Sequence, residues 1–164
     1  METEKKQPKI KNEIKTQIAT EKTSSWKLLV IIRIAGEVKK NYDVVGSLDR
    51  LRLRRKYACV LMENKPEIMG IIKRLNFYVA YGEIEKETLV KLLKARAHKI
   101  DKKTFDAEKI AEEITSGKKM LELGFKPFFR LHPPRGGIKS KLAYPRGVLG
   151  NNKKDINKLV ERML

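Results

Sequence analysis

The chain carries one cysteine, one tryptophan and only 7% aromatic residues in 164. With Cys59 alone, no intrachain disulfide can form; a hydrophobic core has to hold the fold, and a reducing compartment fits. Cys59 stands in the apolar run ACVLM and reads as a small buried hydrophobe rather than a nucleophile. No apolar run approaches the roughly 18 residues of a spanning helix, and the N-terminus METEKKQPKI lacks the apolar centre of a secretory signal. A cytoplasmic location is the expectation. The parts of common catalysts are missing too: there is no P-loop pattern, no dinucleotide-binding glycine fingerprint and no nucleophile beside a base. The two histidines, His98 and His132, lie far apart in sequence without a cysteine partner, so no metal cluster suggests itself. The expectation is a non-enzyme with no cofactor, metal or small-molecule substrate.

Negative charge is the scarcest commodity. Lys and Arg outnumber Asp and Glu by 38 to 20, a formal charge of +18 at a pI near 10. That exceeds what solubility requires, and self-repulsion of this size implies an anionic partner. The excess concentrates in residues 126–154, KPFFRLHPPRGGIKSKLAYPRGVLGNNKK, with eight cations and no acid. Aromatic, His, Pro and Gly residues are spread among those cations. Solvation alone needs none of them, whereas RNA takes cations on its phosphates, flat side chains on its bases and glycines where backbones approach.

At this length one core with appendages is expected. Residues 1–25 form a polar tail whose Ile10, Ile14 and Ile18 permit at most one weak amphipathic helix. KLLVIIRI reads as a strand ending before Gly36. Asn41 or Asp43 then caps a helix with Val44, Val45, Leu48 and Leu51 on one face. A second strand is expected over Tyr57–Met62. Asn64-Lys-Pro-Glu67 caps a helix carrying Ile68, Ile71, Ile72 and Leu75, and a third strand, Phe77–Tyr81, closes at Gly82. Packing both helices on one sheet face gives a two-layer α/β sandwich over residues 26–84. Periodicity leaves open whether its strands are parallel or adopt a split, antiparallel order. Residues 85–124 read as a peripheral insertion of two helices, over Glu85–Arg96 and 106–123, the second with Ile110, Ile114 and Leu121 on one face and Gly124 as its cap. In residues 125–164 the basic loop leads to a final helix, capped by Asn152, whose Ile156, Leu159, Val160 and Met163 dock on the core.

The opening strand KLLVIIRIAGEV, the junction LDRLRLRRKYACVL, the half PEIMGIIKRLNFYVAYGEI and above all FRLHPPRGGIK followed by GVLG resemble the universal large-subunit ribosomal protein L-thirty family (L-seven in eukaryotes), in its longer archaeal form. The resemblance covers most of residues 26–164. It implies a βαβαβ core with a three-stranded antiparallel sheet in the ferredoxin-like split order. It also implies a structural constituent that binds and stabilises large-subunit ribosomal RNA, near the 5S RNA and among neighbouring ribosomal proteins, with no membrane contact. The basic arm by itself is equally compatible with a free RNA chaperone or an assembly factor.

Arg130, Arg135, Lys139, Lys141 and Arg146 are the expected phosphate contacts, guanidinium groups offering paired donors and ammonium groups mobile charge. Gly136 and Gly137 leave backbone N–H groups unshielded at a flexible tip, behind a rigid approach through Pro133 and Pro134. His132 either meets RNA or makes a structural hydrogen bond, Tyr144 is placed to stack on a base, and at least one of Phe128 and Phe129 belongs to the core. Of Arg50, Arg52, Arg54, Arg55 and Lys56, not all can share one surface and some are simply solvated; Arg54, Arg55 and Lys56 at the helix end are the preferred second RNA patch. Lys73 and Arg74 beside Asn76 are a further candidate, although a charged last turn also complements the helix dipole.

Overall fold

The computed structural model describes residues 28–164 apart from 37, 39 and 101–104. The polar tail with its isoleucine stripe lies outside the described residues. Strand β1 (Leu28–Arg33) is the centre of the sheet and is buried along all but its first residue. It pairs antiparallel with β2 (Ala58–Glu63) on one side and β3 (Val79–Glu83) on the other, with Ile31 opposite both Val60 and Tyr81. The order β2-β1-β3 is the split arrangement that the resemblance implied. A strand covered on both faces has no polar side to show, which is why LLVIIR is an unbroken apolar run rather than an alternation.

On the first face, α1 (Tyr42–Arg50) and α2 (Pro66–Arg74) lay Leu48 and Ile72, with Leu51 and Leu75 just beyond them, against Leu29, Ile31, Val60, Val79 and Tyr81. This is the expected two-layer sandwich. The opposite face, with Val30, Ile32, Cys59 and Ala80, is covered as well, by α3 (Lys86–Arg96), α4 (Ala107–Thr115) and α5 (Ile156–Met163). The α3–α4 pair is therefore not peripheral. Leu89, Leu92, Leu93, Ala111 and Ile114 are buried in that second cluster, and a fully buried leucine stabilises by about 2 kcal/mol. Asn157, buried on α5, ties the layers together: its carbonyl oxygen accepts from the Glu85 N–H, and its amide donates to the Glu83 and Lys154 carbonyls.

Several boundaries differ from the sequence expectation for local reasons. The third strand starts two residues later, leaving Phe77 in a turn, 70% exposed. Gly82 lies inside β3 because the backbone of Lys153 and the side chain of Ile156 cross over it, where a Cβ would collide. Helix α2 starts at Pro66 as expected, but Lys65 rather than Asn64 occupies its cap position; at neither α1 nor α2 does a side chain cap the helix. Helix α4 stops at Thr115, eight residues short of the expected 123. Gly117, at φ +98°, accommodates a left-handed C-terminal turn in which Gly117 donates to Ile114 and Lys118 to Glu113. Gly124 (φ +73°) repeats the motif after a separate turn, Phe125 donating to Met120. Leu121, expected on the face of Ile110 and Ile114, is consequently exposed. Asn152 opens a 3-10 turn (Lys153–Asp155) ahead of α5, but its side-chain amide donates to the Val148 carbonyl instead of capping.

Two short edge strands complete the sheet. β4 (Phe129–Arg130) runs antiparallel to β2, and β5 (Gly150–Asn151) runs parallel to β3, giving the order β4-β2-β1-β3-β5. The basic segment thus leaves the sheet at one edge and rejoins it at the other, both times at the end where β1 finishes and β2 and β3 begin.

Candidate nucleic-acid interface

That end of the sheet collects the cations that the sequence scatters. Arg130 pairs with Ala58 across the β4–β2 ladder, which places it beside the loop that carries Arg52, Arg54 and Arg55. Together with Arg50 from the last turn of α1, these residues line a cleft of about 570 Å³ with Phe128 and Asp49 in its wall. Arg130, expected in one basic patch, thus shares a surface with Arg54 and Arg55, expected in the other. Arg50 and Arg52, outside the preferred patch, line the cleft as well. The guanidinium of Arg130 lies 5.8 Å from the centre of the Phe128 ring, and Phe128 packs on the first core cluster, so the cation rests on a fixed platform. Phe129 is fully buried in the second cluster, the core role expected for at least one of the pair. Arg54 approaches Asp49 at 3.6 Å, but both side chains are at least half exposed, and such a pair is weak enough to yield to a phosphate. Arg55 and Lys56 are exposed, and the Lys56 ammonium sits 4.8 Å from the Tyr57 ring centre.

A buried arginine that sequence reasoning passed over as part of a strand builds the loop. Arg33 is only 2% exposed. Its Nη1 donates to the Leu53 and Arg54 carbonyls, each at 2.8 Å, and its Nε to the Ala35 carbonyl at 3.0 Å. Its own carbonyl accepts from the Tyr57 N–H. Two residues of this loop, Arg52 (φ +59°) and Tyr57 (φ +63°), hold left-handed conformations that cost a side-chain-bearing residue free energy. Arg33 offsets that cost from below and aims the loop outward. An arginine closing an otherwise apolar strand was the available signal.

The arm is also held more tightly than a flexible tip would be. His132 and Arg135 donate their backbone N–H groups to the Met163 and Arg162 carbonyls at the end of α5. The Arg162 guanidinium in turn donates to the carbonyls of Arg135 (2.8 Å from Nη2) and Gly137 (2.8 Å). Gly136 and Gly137 occupy consecutive left-handed positions, φ +76° and +69°, which glycine takes without strain. Of their two N–H groups only that of Gly136 lies open, since Gly137 donates to Pro134 at 2.9 Å. The side chains of His132, Arg135, Lys139, Lys141 and Arg146 are exposed, and none forms an ion pair among the described residues. Tyr144 is 37% exposed, and its hydroxyl donates to the Asp155 carboxylate at 2.7 Å. That bond raises the Tyr144 phenol and, together with Lys158, holds the Asp155 carboxyl below the usual carboxylate range. The tyrosine therefore pins the returning arm to α5 while part of its ring faces outward.

Burial pushes the Cys59 thiol well above its usual range, which suits a core residue. Among the described residues no cluster of His, Cys, Asp and Glu is arranged to hold a metal ion, and no helix is long and apolar enough to cross a membrane.

The family model of ribosomal protein L30p/L7e matches residues 29–79. The large ribosomal subunit protein uL30 of Ignicoccus hospitalis is 38% identical over 158 residues, spanning 85% of this chain and 99% of its own length. Its counterpart in Archaeoglobus fulgidus is 36% identical over 151 residues, covering 83% and 99%. That of Thermofilum pendens is 39% identical over 154 residues, covering 84% and 99%.

Proposed function

The chain belongs to the family of ribosomal protein L30p/L7e, a non-enzymatic structural constituent of the large ribosomal subunit, and on that premise we propose that the arginine cleft and the basic arm are the surface with which it grips ribosomal RNA. Its partners are large-subunit RNA and neighbouring ribosomal proteins. One observation carries the assignment of the surface: β4, more than seventy residues further along the chain, brings Arg130 onto the same cleft as the arginines of α1 and the 51–57 loop that follows it. Repulsion between like charges makes such a convergence costly unless an anion completes it. Phosphate contacts from Arg54, Arg55, Lys56 and Arg130 fix the protein's position. Arg135, Gly136, Gly137, Lys139, Lys141 and Arg146 extend the grip along the arm, with His132 and Tyr144 facing bases.

The finer placement that we propose, near the 5S RNA in a cytoplasmic particle, is supported by the family resemblance of the FRLHPPRGGIK and GVLG segments for the first and by the lone cysteine for the second. Binding of the full chain to deproteinised large-subunit RNA tests the surface. Arg54→Ala with Arg130→Ala removes two charge-assisted contacts and should weaken affinity at least about tenfold with an unchanged melting temperature. Unchanged affinity, or affinity and melting falling together, would remove the cleft from the interface.

A further inference from the structure

A second groove opens beside the arginine cleft and shares Arg50 with it. It measures about 470 Å³, within the range of sites that hold a small ligand, and runs between α1 and the C-terminal end of α2. Arg50 and Arg74 stand on its walls, both exposed and neither ion-paired among the described residues. Tyr42 stands on its rim with 88% of its surface open, an unusual position for so large an aromatic ring at the start of a helix. Gly46 forms part of the floor. Glycine inside a helix is unfavourable relative to alanine, yet a Cβ built at Gly46 meets nothing within 4 Å beyond its chain neighbours and the helix's own backbone. Internal packing therefore gives no reason for that glycine. A flat ligand lying against the α1 backbone does.

We propose that this groove takes an unpaired RNA base stacked on Tyr42 and lying over Gly46, with Arg50 and Arg74 on the flanking phosphates. The proposal rests on the reading that this end of the molecule faces ribosomal RNA, and it adds a base-reading site to a surface otherwise built for backbone. Aromatic rings stack on bases, and paired guanidinium groups fit phosphate oxygens. The groove also contains one carboxylate, Asp43. An acid is misplaced against phosphate but suits the exocyclic amino group of a base, so the groove favours an amino-bearing base over uracil. Continuity through Arg50 selects RNA over a protein partner, because one strand can run from the arginine cleft into the groove.

The test is binding of the full chain and its variants to deproteinised large-subunit RNA across a salt series. Tyr42→Ala should lower affinity about 5- to 150-fold, the loss of one stacked base, with an unchanged salt slope. Tyr42→Phe should retain binding. Arg74→Ala should reduce the salt slope by about 1. Gly46→Ala should raise the melting temperature and yet weaken binding, a combination that a purely structural role does not produce. Wild-type affinity for Tyr42→Ala overturns the proposal, and the Arg54→Ala, Arg130→Ala pair then shows what remains. If that pair is impaired, the groove alone is idle; if it is not, the interface reading falls too. Wild-type RNA affinity together with loss of a cross-link from this groove to a ribosomal protein would assign the groove to protein instead.

Discussion

Replacing Arg33 with Met keeps the length and apolar stem of the side chain and removes its donors. The Leu53 and Arg54 carbonyls, each 2.8 Å from Nη1, would lose their partner under the loop. A carbonyl left unsatisfied costs about 1–3 kcal/mol, so the pair costs about 2–6 kcal/mol, offset in part by the easier burial of a neutral side chain. A net loss of about 3 kcal/mol is a drop in melting temperature on the order of 10 °C, measurable by calorimetry or circular dichroism. The second consequence is specific to the account. Freed from Arg33, the left-handed positions at Arg52 and Tyr57 relax, and Arg54 and Arg55 lose their fixed direction. RNA affinity measured well below the melting transition should then fall about tenfold, although Arg33 itself is buried and touches no ligand. Arg33→Lys should restore it only in part, because an ammonium can take over the two carbonyls that Nη1 serves but leaves the Ala35 carbonyl without the separate Nε donor. A variant that melts early but binds RNA like the native chain would refute the claim that Arg33 aims the loop.

Arg162→Ala should leave global stability within about 1 kcal/mol, since its hydrogen bonds are exposed, while speeding amide exchange at Arg135 and Gly137 and weakening RNA binding. Gly82→Ala forces a Cβ into the Lys153 carbonyl and Ile156, and should cost about 2–4 kcal/mol in denaturant unfolding by prying α5 off β3. With about eight phosphates neutralised, log K should fall with log salt at a slope of roughly −5 to −7, and a flat dependence would argue against an electrostatic grip. The Tyr144–Asp155 contact should be insensitive to pH between about 5 and 9. Asp155 is shifted down, so its contribution is lost only as acid titrates it below the usual carboxylate range; Tyr144 is shifted up, so its contribution is lost only above the usual phenol range. A carboxyl carbon-13 shift at Asp155 that moves near neutrality would contradict that.

The sequence exposed whatever depends on period and local chemistry. LLVIIR, the apolar stripes of α1 and α2 and the Ile156–Met163 face were legible because burial leaves a period in the chain. The third layer was legible only in part, because the unbroken apolar run signals that both faces of β1 are covered but not which helices cover the second one. Two glycines mislead in opposite ways: Gly82 reads as the end of a strand but is a crossing point within it, and Gly117, passed over in favour of Gly124, is the true helix end. At the interface, the arm residues were visible from composition. The placement of Arg130 beside Arg54 and Arg55 was not, since it depends on the Ala58–Arg130 pairing across the sheet edge. Arg33 and Arg162 escaped notice because each acts through backbone carbonyls, which carry no sequence signature.

The most direct test of the central claim is a cryo-electron microscopy map of the large subunit containing this chain, at a resolution that shows phosphates. The account predicts RNA phosphates within hydrogen-bonding reach of Arg54, Arg55, Arg130 and Arg135, with the α3 and α4 surface turned away from that contact. A map in which the arginine cleft faces solvent, or packs only against protein, would contradict it.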